Sequence, residues 1–176
     1  MRRGGTEMTS ADLLTDSFGR IDEVVGEVLD GLTVAELTSR LDDGANSIAW
    51  LIWHLTRVQD DHIAAVAGTE QAWTSSGWAE RFGLPLEDSD TGYAHLPDQS
   101  RAVIADAELL GSYHDAVHQN TLRFVQQVTD ADLERVVDER WDPPVTLGVR
   151  LISVIADDLQ HVGQAAYIRG ILERRR

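Results

Sequence analysis

The chain has 176 residues, 43% of them hydrophobic, and it contains no cysteine. This length predicts one domain with an apolar core, and the lack of thiols excludes disulfides, cysteine nucleophiles and thiolate zinc sites. We expect residues 1–8 to be a disordered tail and residues 9–176 to form that domain. A net charge of −15 argues against nucleic acids and anionic membranes as partners. A cytoplasmic location is expected, because no segment has the length of a membrane span and no apolar run follows the first arginines.

Four segments have apolar residues at three- and four-residue steps, which is the spacing of one helical face. Their ends carry residues that start and stop helices. Thr146 follows two prolines and can cap the last helix, while Gly68 can end the second. The predicted long helices cover residues of about 10–31, 46–67, 105–128 and 147–174.

The segments between them are shorter or irregular. A short helix is predicted at about 33–41, where Thr33 and Glu36 match a capping box, and a helical turn at 130–136. The stretch 69–104 is rich in glycine, proline and aromatic residues, which indicates a long crossover packed on the helices. No segment shows the alternating pattern of a strand. The sequence therefore predicts an all-α fold, a four-helix bundle with a long crossover between its second and third long helices.

Polar residues interrupt the apolar faces of the second and fourth long helices. Asp158 and His161 fall within the apolar face of the fourth, with Asp157 at its edge, and His54 lies at the edge of the second. Side chains at i and i+4 can reach one ion, and a buried charge is costly unless it is paired or bound to metal. Imidazole and carboxylate suit zinc, nickel or ferrous iron. Spacing alone leaves open whether Asp157 or Asp158 is the ligand, and whether these are instead hydrogen-bonded core residues.

A second histidine pair, His114 and His118, has HxxxH spacing on the third long helix. It lacks the glutamate of a metalloprotease HExxH motif. Both histidines fall beside the predicted core stripe of that helix. We therefore expect them to be surface or boundary residues rather than ligands.

Two blocks of the sequence, "NSIAWLIWHLTRVQDDHIA" and "LGVRLISVIADDLQHVGQAAYIRG", resemble the DinB/YfiT-like superfamily. The resemblance covers about residues 10–172. The blocks "WTSSGWAERFGLP" and "WDPPVTLGVRL" are similar to the actinobacterial mycothiol S-transferases of that superfamily. The resemblance implies a four-helix bundle that binds a divalent metal, zinc before nickel or iron, through His54, Asp157 and His161. Asp157 replaces a histidine of the common three-histidine pattern.

The same resemblance implies a transferase that conjugates mycothiol to electrophilic small molecules in detoxification, with the metal activating the thiol. Its candidate substrate contacts are Trp50, Asp61, Trp78 and Arg150, and Asp61 is also a candidate catalytic residue. The alternatives are a mycothiol-dependent isomerase, a metal-dependent hydrolase, and a non-catalytic bundle that binds a metal or small molecule. Pairing of helix faces into a homodimer stays open.

Overall fold

The computed structural model describes residues 8–175, so the predicted tail, apart from Met8, lies outside the described residues. The four long helices are α1 (Ser10–Leu29), α3 (Ile48–Ala67), α7 (Ala107–Val125) and α8 (Leu147–Glu173), with the short helix α2 (Val34–Leu37) between the first two. The crossover carries three short helices, α4 (Ala72–Ser75), α5 (Trp78–Phe82) and α6 (Pro97–Arg101). The predicted all-α four-helix bundle with a long crossover is confirmed.

Helix ends follow the capping residues seen in the sequence. Thr33 accepts a hydrogen bond from the backbone N–H of Glu36, whose carboxylate accepts from the backbone N–H of Thr33 at 2.9 Å. Thr146 caps α8 through the backbone N–H of Val149. Gly68 ends α3 in the left-handed conformation, with φ of 69°. Local capping chemistry thus sets where these helices begin and end.

A small β ribbon precedes α8, although no strand was predicted. Strands β1 (Val136–Asp138) and β2 (Val145–Thr146) pair antiparallel, after a 3-10 helix at Asp132–Glu134 inside the predicted turn. Strands of two or three residues are too short to show an alternating pattern. The ribbon leads the chain directly into the first turn of α8.

Helix α3 lies at the centre of the bundle. It packs against both α8 and α7, and α1 completes the bundle by contacting those same two helices. Every residue from Ser47 to Arg57 is therefore buried. Among residues 8–175, no helix combines the length and apolar character needed to cross a bilayer.

Two buried charged residues of α3 hold the crossover against the bundle. The guanidinium of Arg57 donates to the carbonyl oxygens of Asp88 and Asp90 at 3.2 and 3.1 Å. The Asp60 carboxylate accepts from the first two backbone N–H groups of α4 at 2.9 and 2.8 Å. The two opposite charges lie 3.8 Å apart, so each reduces the energetic cost of burying the other. Because Arg57 and Asp60 are fixed in α3, the crossover is positioned relative to the polar residues of that helix.

Candidate metal centre

His54, Asp157 and His161 meet where α3 packs against α8. One potential ligand atom from each lies within 4.8 Å of the others. His54 is 6% exposed, whereas the side chains of His161 and Asp157 are 19% and 34% exposed. The cluster is therefore walled by the bundle on one side and accessible to small molecules on the other.

Each histidine of this cluster faces a backbone carbonyl oxygen with its Nδ1 atom. Nδ1 of His54 lies 2.5 Å from the oxygen of Thr91, and Nδ1 of His161 lies 2.8 Å from the oxygen of Asp157. A carbonyl oxygen only accepts, so each ring carries its hydrogen on Nδ1 and keeps a lone pair on Nε2. Backbone acceptors of this kind orient metal-ligating imidazoles in many proteins.

The Asp157 carboxylate supplies the third potential ligand. Its Oδ2 atom is buried without a hydrogen bond, 3.3 Å from Nδ1 of His161. A divalent cation would give this orphaned oxygen a partner, and two imidazole nitrogens with one carboxylate oxygen are a common zinc donor set. The residues present thus fit a divalent metal ion.

Two of the three groups are in the protonation state that binds a cation. Burial lowers the pKa of His54. Burial also opposes the charge on His161, but the nearby carboxylate and the backbone carbonyl of Asp157 outweigh it and raise the pKa of that imidazole. For Asp157, burial is outweighed by His161 and His54, and the pKa of the carboxyl is lowered. Asp157 is therefore ionised at neutral pH, and the more buried His54 is neutral.

Asp158 points into the bundle instead. Its side chain is fully buried, and neither of its oxygens has a hydrogen-bond partner. Burial and the neighbouring charge of Asp157 raise its pKa well above the ordinary value. The structure thus brings Asp157 and not Asp158 into the cluster, the choice that spacing left open.

A turn of the crossover covers His54. Gly92 has φ of +90°, and a Cβ there would lie 2.6 Å from Nδ1 of His54 and 3.2 Å or less from the rings of Trp53 and Trp50. Only glycine allows the neighbouring carbonyl of Thr91 to approach the imidazole so closely. Sequence reasoning missed this residue, because the contact joins positions 38 residues apart.

Trp50 forms an aromatic wall beside the two histidines. Its ring stacks on His54 with centroids 4.6 Å apart and meets His161 edge-on at 6.2 Å. Its Nε1–H donates to Nδ1 of His95 at 3.1 Å, so Nε2 of His95 carries the hydrogen that is donated to Asp90 at 2.8 Å. His95 was also missed, since nothing near it in the sequence marks it as part of the site.

The other three predicted substrate contacts have partners of their own. Asp61 accepts from Gln71 at 2.7 Å, Arg150 donates to Asp138 at 3.1 Å, and Trp78 packs against Tyr113 and Arg81. Their roles stay predictions. A separate cleft of about 560 Å³, beside α3 and α7, includes none of the predicted site residues.

The expected surface or boundary position of His114 and His118 is wrong, whereas their expected lack of a ligand role is not contradicted. Both are buried, with 1% and 5% exposure. Helix α7 is covered by α1 as well as by α3, so its buried arc is wider than the stripe read from the sequence. Nε2 of His114 lies 3.5 Å and Nε2 of His118 3.9 Å from different oxygens of Asp22. The ligand atoms of His114, His118 and Asp22 do not all lie within 4.8 Å of one another. Those of His54, Asp157 and His161 do.

The profile of the DinB superfamily matches residues 20–165, which include all three residues of the candidate metal site. The chain belongs to the DinB superfamily. A crystal structure of a conserved protein from Enterococcus faecalis is similar to this DinB-superfamily chain, with 35% identity and a TM-score of 0.86. The similarity covers 93% of this chain and 96% of that one. Comparison with curated proteins gives no match.

Proposed function

We propose that this DinB-superfamily chain is a metal-dependent S-transferase that conjugates the small-molecule thiol mycothiol to electrophilic small molecules. The convergence of His54, Asp157 and His161 in a partly open groove supports it. Two neutral imidazoles and one carboxylate would leave a zinc site with a net charge of about +1 and with open coordination positions. Such an ion supplies one piece of chemistry, which is to lower the pKa of a bound thiol so that it is present as thiolate.

The residues of the chain supply the positioning. The carbonyl oxygens of Thr91 and Asp157 hold the two imidazoles with Nε2 free. Trp50 offers an apolar wall for the electrophile. Asp61 and Arg150 are proposed as polar contacts for the sugar hydroxyls of mycothiol, and Trp78 is proposed as a contact for the apolar part of mycothiol. The reaction forms a bond from sulfur to the electrophilic carbon, and the leaving group departs with the electron pair. The thiol proton passes to solvent or to the half-exposed carboxylate of Asp61.

The lack of cysteine agrees with this assignment of roles. The chain has no thiol of its own that could attack an electrophile or compete for the metal. A reaction that depends on sulfur must therefore take it from a co-substrate. This distinguishes the proposal from a hydrolase on the same fold, whose nucleophile would be water.

The test measures zinc content and conjugation of a fluorogenic electrophile, with and without mycothiol. We expect thiol-dependent turnover by the wild type, and loss of both metal and turnover in His54→Ala and His161→Ala. His118→Gln, which changes a histidine outside the converging group, is the control and should keep both. Equal activity without added thiol would reject the transferase and favour a hydrolase. Metal binding without any turnover would favour a non-catalytic bundle.

A further inference from the structure

His95 lies in the crossover and uses both nitrogens of its ring. Its Nδ1 atom accepts a hydrogen bond from Nε1–H of Trp50 at 3.1 Å, and its Nε2–H donates to the carboxylate of Asp90 at 2.8 Å. The side chain is 3% exposed. Two directed hydrogen bonds in a buried site give this imidazole one fixed orientation.

Trp50 differs from the other buried tryptophans in the part of the chain that the structure describes. The indole nitrogens of Trp53, Trp73 and Trp78 are buried without a hydrogen-bond partner within the protein. The fold therefore buries tryptophan without requiring an acceptor for every indole N–H. Of these four tryptophans, the one that has an acceptor is the one that contacts both histidines of the candidate metal site.

The contact between Trp50 and His54 sets the plane of that imidazole. The Thr91 carbonyl holds Nδ1 of His54, but one hydrogen bond in the plane of a ring still permits the ring to tilt. The indole of Trp50 lies nearly parallel to the imidazole, at 14°, and blocks this tilt. Together the two contacts fix the direction in which the free Nε2 of His54 points.

Asp90 holds His95 in turn. Its Oδ1 atom accepts from His95 and from the backbone N–H of Gly92, both at 2.8 Å, and its carbonyl oxygen accepts from Arg57 of α3. Burial would raise the pKa of Asp90, but the hydrogen bonds from His95 and Gly92 outweigh it and lower that pKa. An ionised carboxylate only accepts, so His95 donates through Nε2, and its Nδ1 is the acceptor for Trp50.

We propose that His95 is a positioning residue of the metal centre and that it acts through Trp50. Its Nδ1 atom holds the indole in the orientation that stacks on His54, and the stacked imidazole keeps its free Nε2 in place for a metal ion. This role rests on the metal site of the proposed function, but not on the thiol reaction. Partners that orient a metal ligand in this way affect metal affinity without contacting the ion.

The test compares zinc affinities, measured by competition with a chromophoric chelator. His95→Leu removes both hydrogen bonds, and it should weaken zinc binding about tenfold, as loss of an orienting partner does. His95→Gln can still accept from Trp50 and donate to Asp90, because its amide oxygen and nitrogen have nearly the spacing of the two ring nitrogens. It should therefore bind zinc within about threefold of the wild type.

A double-mutant cycle shows whether the effect passes through Trp50. Trp50→Phe keeps an aromatic ring beside His54 but has no N–H to donate, so in that background His95→Leu should change zinc affinity by less than about twofold. Trp73→Phe is the matched control, because it removes a buried indole N–H that has no partner, and His95→Leu should keep its full effect there. An equally large effect in the Trp50→Phe background would overturn the proposal, because a loosened crossover would then be the cause.

The protein without zinc gives a second readout. The indole N–H resonance of Trp50 in an NMR spectrum, identified by its loss in Trp50→Phe, should shift in His95→Leu and return in His95→Gln. An unchanged resonance would overturn the proposal, since the hydrogen bond would not then hold the indole.

The outcomes separate this role from the transferase. Zinc binding without turnover would reject the transferase and leave the role of His95 standing. Zinc binding that His95→Leu does not weaken would reject the role and leave the transferase standing. A wild type that binds no zinc would reject both.

Discussion

The chain holds two groups of two histidines and one aspartate, and they differ in how the bundle arranges them. One potential ligand atom from each of His54, Asp157 and His161 lies within 4.8 Å of the other two. His114 and His118 instead contact separate oxygens of Asp22 at 3.5 and 3.9 Å. The residue types are the same, so composition alone does not make a metal site.

The partners of the rings explain the difference. In the candidate metal site, backbone carbonyls hold Nδ1 of both histidines, which leaves Nε2 free. In the other group, Nδ1 of His114 meets the hydroxyl of Thr56 at 3.1 Å, and Nδ1 of His118 has no hydrogen-bond partner. Only in the first group are both imidazole rings held through Nδ1, so that both Nε2 atoms are free to bind a metal ion.

The largest effect on metal binding is expected when a histidine of the first group is removed, and removal of a histidine of the second group should have little effect. His54→Ala should lose nearly all zinc, whereas His118→Gln should keep about one zinc per chain, because His118 lies outside the convergent group. Elemental analysis of the two purified proteins checks this. Equal loss in both would show that the groups do not differ as described.

The next effect separates the two neighbouring aspartates. Asp157→Asn should weaken zinc binding about 100-fold, since a neutral amide replaces an ionised ligand. Asp158→Asn should change it by less than about threefold, because Asp158 is buried inside the bundle and lies outside the group of converging ligand atoms. Competition titration with a chromophoric chelator measures both constants. The reverse order would place the ligand one residue further along α8.

A smaller effect is expected from the crossover turn. Gly92→Ala should weaken zinc binding about tenfold, because the new Cβ displaces His54 and separates it from the Thr91 carbonyl. Gly77→Ala is the matched control, with a φ of 71° and open space around its Cβ. It also places alanine at a positive φ, but without a contact at the new Cβ. If both variants bind zinc equally weakly, strain in the crossover and not the approach to His54 is the cause.

The smallest effect on metal binding is expected at His114, whose role is in stability. Burial and the neighbouring His118 lower its pKa from 6.5 to about 3. The folded state thus favours the neutral ring, and the resulting stability is present above pH 6.5 and is lost as the pH falls toward 3. The loss is up to about 1.4 kcal/mol per pH unit, and the nearby carboxyl of Asp22, whose pKa is raised by burial, reduces it.

Urea unfolding between pH 7 and 5 tests this assignment. His114→Asn can keep the contact with Thr56 but does not titrate, so its unfolding free energy should fall less over that range than that of the wild type. Its zinc content should remain that of the wild type. An unchanged pH dependence would assign the acid sensitivity to other groups.

Much of the fold followed from local chemistry in the sequence. Capping residues such as Thr33, Thr146 and Gly68 fix helix ends through contacts within a few residues, so they are visible before the structure is known. The family resemblance pointed to the superfamily, which the profile match confirms. The ribbon before α8 was missed, because its strands are too short to leave a pattern.

What the sequence determined by itself is the set of periodic helices, their caps and the placing of two aspartates within about one turn of His161, while the family resemblance implied His54, Asp157 and His161 as a ligand set. Only the tertiary structure decided that Asp157 and not Asp158 meets His54 and His161, that Gly92 and His95 lie against this site, and that His114 and His118 are buried. The physical reason is range. Helical periodicity and capping act over three or four residues, whereas these contacts join residues far apart in the chain that meet only when α1, α3, α7 and α8 pack together.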